Sequence, residues 1–565
     1  MSVKITRSSP LSSARSTPAT FQTASQDVST TYKATQLLPR EIQQQVNIYL
    51  DEYLISQAIR VLLSLISATN SNEKSRVQIP APDYISILNT LSIHPDFTNR
   101  ASQDDKIAQA NLARKYMKAL LQICGPVNAG FAIAYSIRTF NHDRRNGGDS
   151  DDDSPAPDLL NMKYADLQNV FGRKSDFWAL IGWAFNCSTL PGPYAIRWSY
   201  WNLWLQHMTD VLEKDWHDRM DHDDCQHSLI WHYILSSAGN RPRRAVKAVF
   251  ADGSPECLKL YGEVFAKELK PPKRPKDATL KDRSKVEIDQ EEYGDWLEAS
   301  DSSTEDEANV QMDDIVARPA KRMRTRTPST RRRKTYQTGV IADEESNASG
   351  AEDSQRAHEL GPPESVALRL RLLQLLSSVS AHPKLSHSGE WPDLRELYTF
   401  FVEDIKSLPL TAFHDLTLSV SAKALTTGTR ITLCDFLLRR ILASDKLRTY
   451  TTTLEPMTQH RLVTEYLPVP ADRGKKGIEQ QAKMSLLLES VVRVLAAEPS
   501  MLRSDVEFAD AVNTGIQSRE YRAAQIVDGI RSRKGTVSNE EQAALQVLHN
   551  SGRRLSFMLE RLAAK

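Results

Sequence analysis

The sequence predicts an all-α protein: two helical domains, each an irregular helical bundle or a HEAT/armadillo-like α-solenoid, joined by a long disordered charged linker. Three observations carry this expectation. Apolar residues recur at three- and four-residue spacings through most of the chain, no alternating series repeats often enough to build a sheet, and between about 268 and 362 charge falls into single-sign blocks. With 565 residues, 40% of them hydrophobic, the chain has room for more than one core.

Residues 1–35 read as a disordered Ser/Thr-rich tail. Basic residues are present, but no apolar h-region follows them, which speaks against a secretory signal. Pro10, Pro18 and the lack of a Leu/Arg stripe favour a phosphorylatable tail over a mitochondrial transit peptide. From Pro39 the composition changes. Ile42, Val46, Tyr49 and Tyr53 run beside Leu50, Leu54, Ala58, Val61, Leu62 and Leu65, which predicts one long helix buried on a wide face. Further helices are expected over 83–93, 104–124 and 129–140. The stretch 141–158, NHDRRNGGDSDDDSPAPD, has no large apolar residue and reads as a disordered loop within a domain spanning 36–267.

Seven of the nine tryptophans lie between Phe177 and Tyr233. Trp198, Trp201, Leu205, Met208 and Leu212 step by three and four residues, which places them on one seam of a helix, with Trp204 and Val211 on the next stripe. A packed aromatic core is the expected use. An aromatic groove for a partner peptide or an exposed base would require several of these rings to reach solvent.

The linker, 268–362, alternates in charge. Lys270-Pro-Pro-Lys273-Arg274-Pro-Lys276 is basic, 287–314 carries twelve acids and no Lys or Arg, and 318–334 carries nine Lys/Arg and no acid. Such a stretch cannot fund a core, so it should concentrate proteolysis, together with 141–158. The C-terminal domain, 363–565, begins near Ser365 with ALRLRLLQLLSSVSAHP and reads as helices there and over 394–408, 410–425, 431–442, 484–497, 505–516 and 540–562. The β-branched passages 426–432 and 450–453 are the places where a short strand would hide. Fragments ending before 268 and starting after 362 are expected to fold separately, provided that the domains do not share a core. A short echo, Ser92-Ile-His-Pro95 against Ser380-Ala-His-Pro383, joins the halves without a fixed repeat.

For function, the formal net charge of +1 excludes a globally basic nucleic-acid coat and leaves local charge segregation as the electrostatic device. Cys124, Cys187, Cys225, Cys257 and Cys434 are scattered without a CxxC pair, so neither a disulfide framework nor a ribbon-type zinc site is expected. His207, His217, His222, His227 and His232 cluster around Cys225, but their spacing fits an ordinary interhelical loop better than a metal site. No GxSxG, HExxH, GxxxxGK[ST] or strand-linked GxGxxG occurs, and no catalytic residue, cofactor or metal is expected. No apolar run approaches the roughly 20 residues of a membrane span.

The strongest functional signal is basic. Lys321 and Arg322, then Arg331, Arg332, Arg333 and Lys334, approximate a bipartite nuclear import signal, reinforced by Arg324, Arg326 and by Lys270, Lys273, Arg274 and Lys276. Thr327, followed by Pro328, sits between the two clusters. Thr17, Ser302, Ser303 and Thr304 are further phosphorylation candidates. Tyr293, Trp296 and Leu297, and then Ile315 and Val316, stand among acids as docking candidates for partner grooves. The expectation is a non-catalytic nuclear scaffold or adaptor, in chromatin or chromosome maintenance, with nuclear protein partners and an import receptor. The alternatives are a nucleic-acid-binding protein using Arg241, Arg243, Arg244, Lys247 and the linker for weak non-specific contacts, and an enzyme without a legible motif.

Overall fold

The computed structural model describes residues 32–70, 75–137, 163–165, 168–172, 176–237, 240–271, 360–386, 388–418, 420–442, 457–471, 477–498, 501–533 and 535–564. Among them the architecture is all-α, in two helical parts covering 32–271 and 360–564. The first part contains α1 (Arg40–Asp51), α2 (Ile55–Asn70), α3 (Pro82–Ile93), α4 (Asp104–Ile123), α5 (Phe177–Thr189), α6 (Pro193–Asp221), α7 (Leu229–Ser236) and α8 (Arg241–Val249). The second contains α9 (Pro363–Ala381), α10 (Leu394–Ser407), α11 (Leu410–Thr417), α12 (Thr427–Leu442), α13 (Gly477–Ala497), α14 (Val506–Ser532) and α15 (Asn539–Ala563). Short helical turns fill several connections. The described strands are β1 (Thr35–Leu37) and β2 (Val77–Ile79), a three-residue parallel pair too short to leave an alternating signature.

Local chemistry sets the helix starts. Asp176, Ser228, Asn240, Asp393 and Asp505 each accept a backbone N–H of the first turn of α5, α7, α8, α10 and α14. Ser538 and Glu541 form a reciprocal capping box at α15. The expected single long helix from Ile42 to Leu65 is instead two. Tyr53 adopts a left-handed φ of 55°, and the Leu54 N–H closes back on the Tyr49 carbonyl at 2.7 Å, so α2 folds onto α1. No Gly or Pro marks that break. The Thr-rich passage 426–432 is helical: the Thr426 hydroxyl accepts the Thr429 N–H at the start of α12. The stretch 450–453 lies outside the described residues. The Ser-x-His-Pro echo is structural, because α3 and α9 both stop before an extended His94 or His382, and the proline then opens a helical turn.

The seam read from the sequence is the centre of the first core. Trp201, Leu205, Met208, Val211 and Leu212 on α6 are buried, α5 packs along them, and Trp201 meets Trp204 edge to face at 5.2 Å. Asn186, fully buried on α5, is satisfied by segment 253–261: it donates to the Tyr261 and Cys257 carbonyls and accepts the Gly253 N–H. In the second part, Glu489 on α13 is buried and accepts two bonds from Arg554 on α15, at 2.7 and 2.9 Å.

The body extends past its expected limits. Glu268, placed by composition at the start of the linker, is completely buried. Its carboxylate pairs with the equally buried Arg197, accepts the Trp201 indole N–H at 2.7 Å and accepts the Phe265 N–H at 3.2 Å. Arg197 also donates to Thr98 Oγ1 at 2.8 Å and to the Ile93 carbonyl at 2.5 Å, so 262–271 is stapled to α3 and α6. Leu360 is likewise buried. The two parts do share a core: one continuous set of buried side chains runs from Leu38 to Leu555, and α9 lies against α6 and α8.

Candidate interaction surfaces

Lys273, Arg274, Lys276 and every import candidate from Lys321 to Lys334 lie outside the described residues. So do Thr327, Ser302, Ser303, Thr304 and Thr17, and the docking candidates Tyr293, Trp296, Leu297, Ile315 and Val316. Lys270 is described and is exposed beside the end of the first part.

The tryptophan-rich segment is core. Trp178, Trp183, Trp201, Trp204 and Trp216 are at most 1% exposed, Trp231 is 5% and Trp198 8%, so no aromatic platform faces solvent there. The clustered histidines go separate ways. His207 hydrogen-bonds the Tyr135 hydroxyl at 3.0 Å, and burial pushes its imidazole down to about 4. His217 and His222 each bond the carbonyl four residues back, at 2.6 and 2.7 Å, and His227 bonds Asp224 at 2.5 Å. Cys225 is buried, and no group of three or more metal-ligating side chains converges among the described residues. Burial pushes the Cys124 and Cys434 thiols up to about 11, the opposite of what a thiolate nucleophile needs. No described helix is long and apolar enough to cross a membrane.

The basic run that opens α8 is engaged within the fold. Arg244 pairs with Asp176 inside the first part, while Arg241 pairs with Glu390 and Arg243 with Glu403, at 3.1 Å, across the seam between the parts. Arg243 also stands 5.5 Å from the Phe400 ring. Each of these arginines thus already faces a carboxylate, which offsets part of the positive charge that phosphate contacts would draw on. On the same seam a cleft of about 460 Å³ has Trp231, Leu235 and Leu385 as its apolar lining and His227, Arg241, Lys384 and Glu390 at its polar edge. Its ionic groups are matched: Lys384 pairs with Asp223, Arg241 with Glu390 and His227 with Asp224.

Two arginines outside every motif read from the sequence, Arg369 and Arg371, hold α9 in place. The run Leu368-Arg369-Leu370-Arg371-Leu372 carried the signal, since a charge inside a leucine helix needs a partner. Arg371 bonds Asp210 and Glu213 of α6, with its Nη2 at 2.6 and 2.5 Å, and Arg369 is fully buried.

Asp404 of α10 faces α8 across this seam. Burial pushes its carboxyl up to about 6, Glu403 adds to the rise, and Lys247 and Arg243 oppose it. The folded state therefore binds this proton more tightly than the unfolded chain, and the contribution to stability falls as pH rises from about 4 to about 6. Asp404→Asn is expected to stabilise the protein at neutral pH by about 1–2 kcal/mol and to flatten urea-unfolding stability across that window. An unchanged profile would place the titration elsewhere. Compared with known proteins, the chain matches no family model, no curated protein and no solved structure.

Proposed function

We propose that this chain is a non-catalytic nuclear scaffold or adaptor, acting in chromatin or chromosome maintenance through nuclear protein partners and delivered by an import receptor. The observation that carries the reading is the pair of basic clusters Lys321-Arg322 and Arg331 to Lys334 inside a charge-segregated stretch of nearly a hundred residues. Short acid-flanked apolar segments in the same stretch, Tyr293 to Leu297 and Ile315-Val316, are the partner-docking elements, and Thr327 between the clusters is the phosphorylation switch.

The engagement of Arg241, Arg243 and Arg244 in ion pairs within the fold weighs for protein partners over a nucleic-acid surface on α8. The test is affinity purification from nuclei with mass spectrometry, run beside electrophoretic DNA and RNA binding at several salt concentrations. A reproducible nuclear partner set with negligible shifts supports the adaptor. Tight binding that weakens steeply with salt, and no partner set, would replace it with a phosphate-binding protein.

A further inference from the structure

Arg369 is a cation with no carboxylate partner among the described residues. It donates to the Val249 carbonyl at 2.5 Å, to Ser188 Oγ at 3.3 Å, to the Phe185 carbonyl at 3.5 Å and to Ser365 Oγ at 3.2 Å. Its guanidinium lies 4.1 Å from the Phe185 ring. Val249 is the last residue of α8, and Ser188 stands in the last turn of α5. The group thus sits at the C-terminal ends of two helices, where their negative poles offset its charge. One side chain from the second part thereby caps the last carbonyl of α8 and reaches the final turns of α5.

The surroundings of Arg369 have the anatomy of a stable interface, a buried, hydrogen-bonded centre with a charged rim. Gly361, at φ +82°, lies so close to α5 that a Cβ would stand 2.7 Å from the Ser188 carbonyl oxygen, and the Ser188 and Ser365 hydroxyls meet at 2.9 Å. Trp216 packs edge-on against His382 at 5.9 Å. Around this centre the two parts exchange charges in both directions: Arg371 reaches Asp210 and Glu213, Lys384 reaches Asp223, and Arg243 reaches Glu403.

We infer that this seam is a self-sufficient interface, so that the partner fitted by the α5–α8 face is helix α9 of the second part whether or not the chain between them is continuous. Cleavage anywhere within 272–359 then yields a one-to-one complex of the two pieces, with Arg369 as its anchor and the rim pairs secondary.

The test uses the full-length protein with a site-specific protease sequence inserted after Ala342. After cutting, both pieces are expected to co-elute in size-exclusion chromatography at the position of the uncut protein on dilution to ~100 nM. Arg369→Met should weaken the cut complex by about 100-fold or more, since it removes charge-assisted bonds and leaves buried carbonyls unpaired. Lys384→Ala, on the rim, should change it by about threefold or less. Separation of the wild-type pieces overturns the inference whatever the variants do, and equal weakening by the two substitutions overturns the anchor role of Arg369. If Arg369→Met does not fold, Arg369→Lys replaces it. It keeps the charge but loses the planar fork, and is expected to weaken the complex by about tenfold.

Discussion

Neutralising Lys321, Arg322 and Arg331 to Lys334, together with Lys270, Lys273, Arg274 and Lys276, is expected to abolish nuclear accumulation while the far-ultraviolet dichroism of the protein stays helical. An import receptor reads such clusters as positive charge on an accessible chain, so removing both clusters and their upstream reserve removes the recognised feature rather than weakening it. At 63.7 kDa the chain does not pass the nuclear pore freely, so the readout is the nuclear-to-cytoplasmic ratio of a tagged full-length protein. Thr327→Glu should lower that ratio less, because one carboxylate carries less charge than the −1.5 to −2, roughly, of a phosphate. Undiminished nuclear accumulation of the full neutralised variant would mean that a partner carries the protein, or that the clusters serve another ligand.

The largest stability effect is expected at Glu268. Removing this carboxylate by Glu268→Ala leaves Arg197 charged and buried with no ionic partner, and leaves the Trp201 indole N–H unsatisfied. The cost should be about 3–5 kcal/mol in denaturant unfolding. Glu268→Gln keeps an acceptor for Trp201 and should cost less. Arg197→Met with Glu268→Leu should recover much of the loss, because two apolar side chains need no compensation in that site. A Glu268→Ala loss under about 1 kcal/mol would show that water reaches the pair and that 262–271 is only loosely held.

What the sequence made legible was periodicity. The stripe Trp198, Trp201, Leu205, Met208 and Leu212 could be read because a helix buried on one face repeats every three to four residues, and all of these side chains are in the core. The break at Tyr53 could not be read, since a left-handed closure by a tyrosine has no composition signal. Glu268 was hidden for a related reason. Composition assigns a charged residue beside Lys267 and Lys270 to solvent, whereas its burial rests on Arg197 and Trp201, about seventy residues upstream, which no local pattern links to it. The shared core was hidden by the linker, because a long charged stretch marks a gap in burial along the chain without marking a gap in space. Arg369 stands out inside a leucine run, but its partners are two carbonyls and two serine hydroxyls, none of which has a sequence signature.

The uneven placement of tryptophan turns this protein into a two-channel reporter of its own unfolding. Seven indoles are buried in the first part, Trp391 alone is described in the second, and helix is spread over both. Intrinsic fluorescence thus follows chiefly the half around α5 and α6, while circular dichroism weighs the halves together. Superimposable melts in the two signals would mean that the halves unfold as one cooperative unit, whereas a fluorescence change at a distinct temperature would resolve an intermediate in which one half has lost its packing and the other has kept its helices.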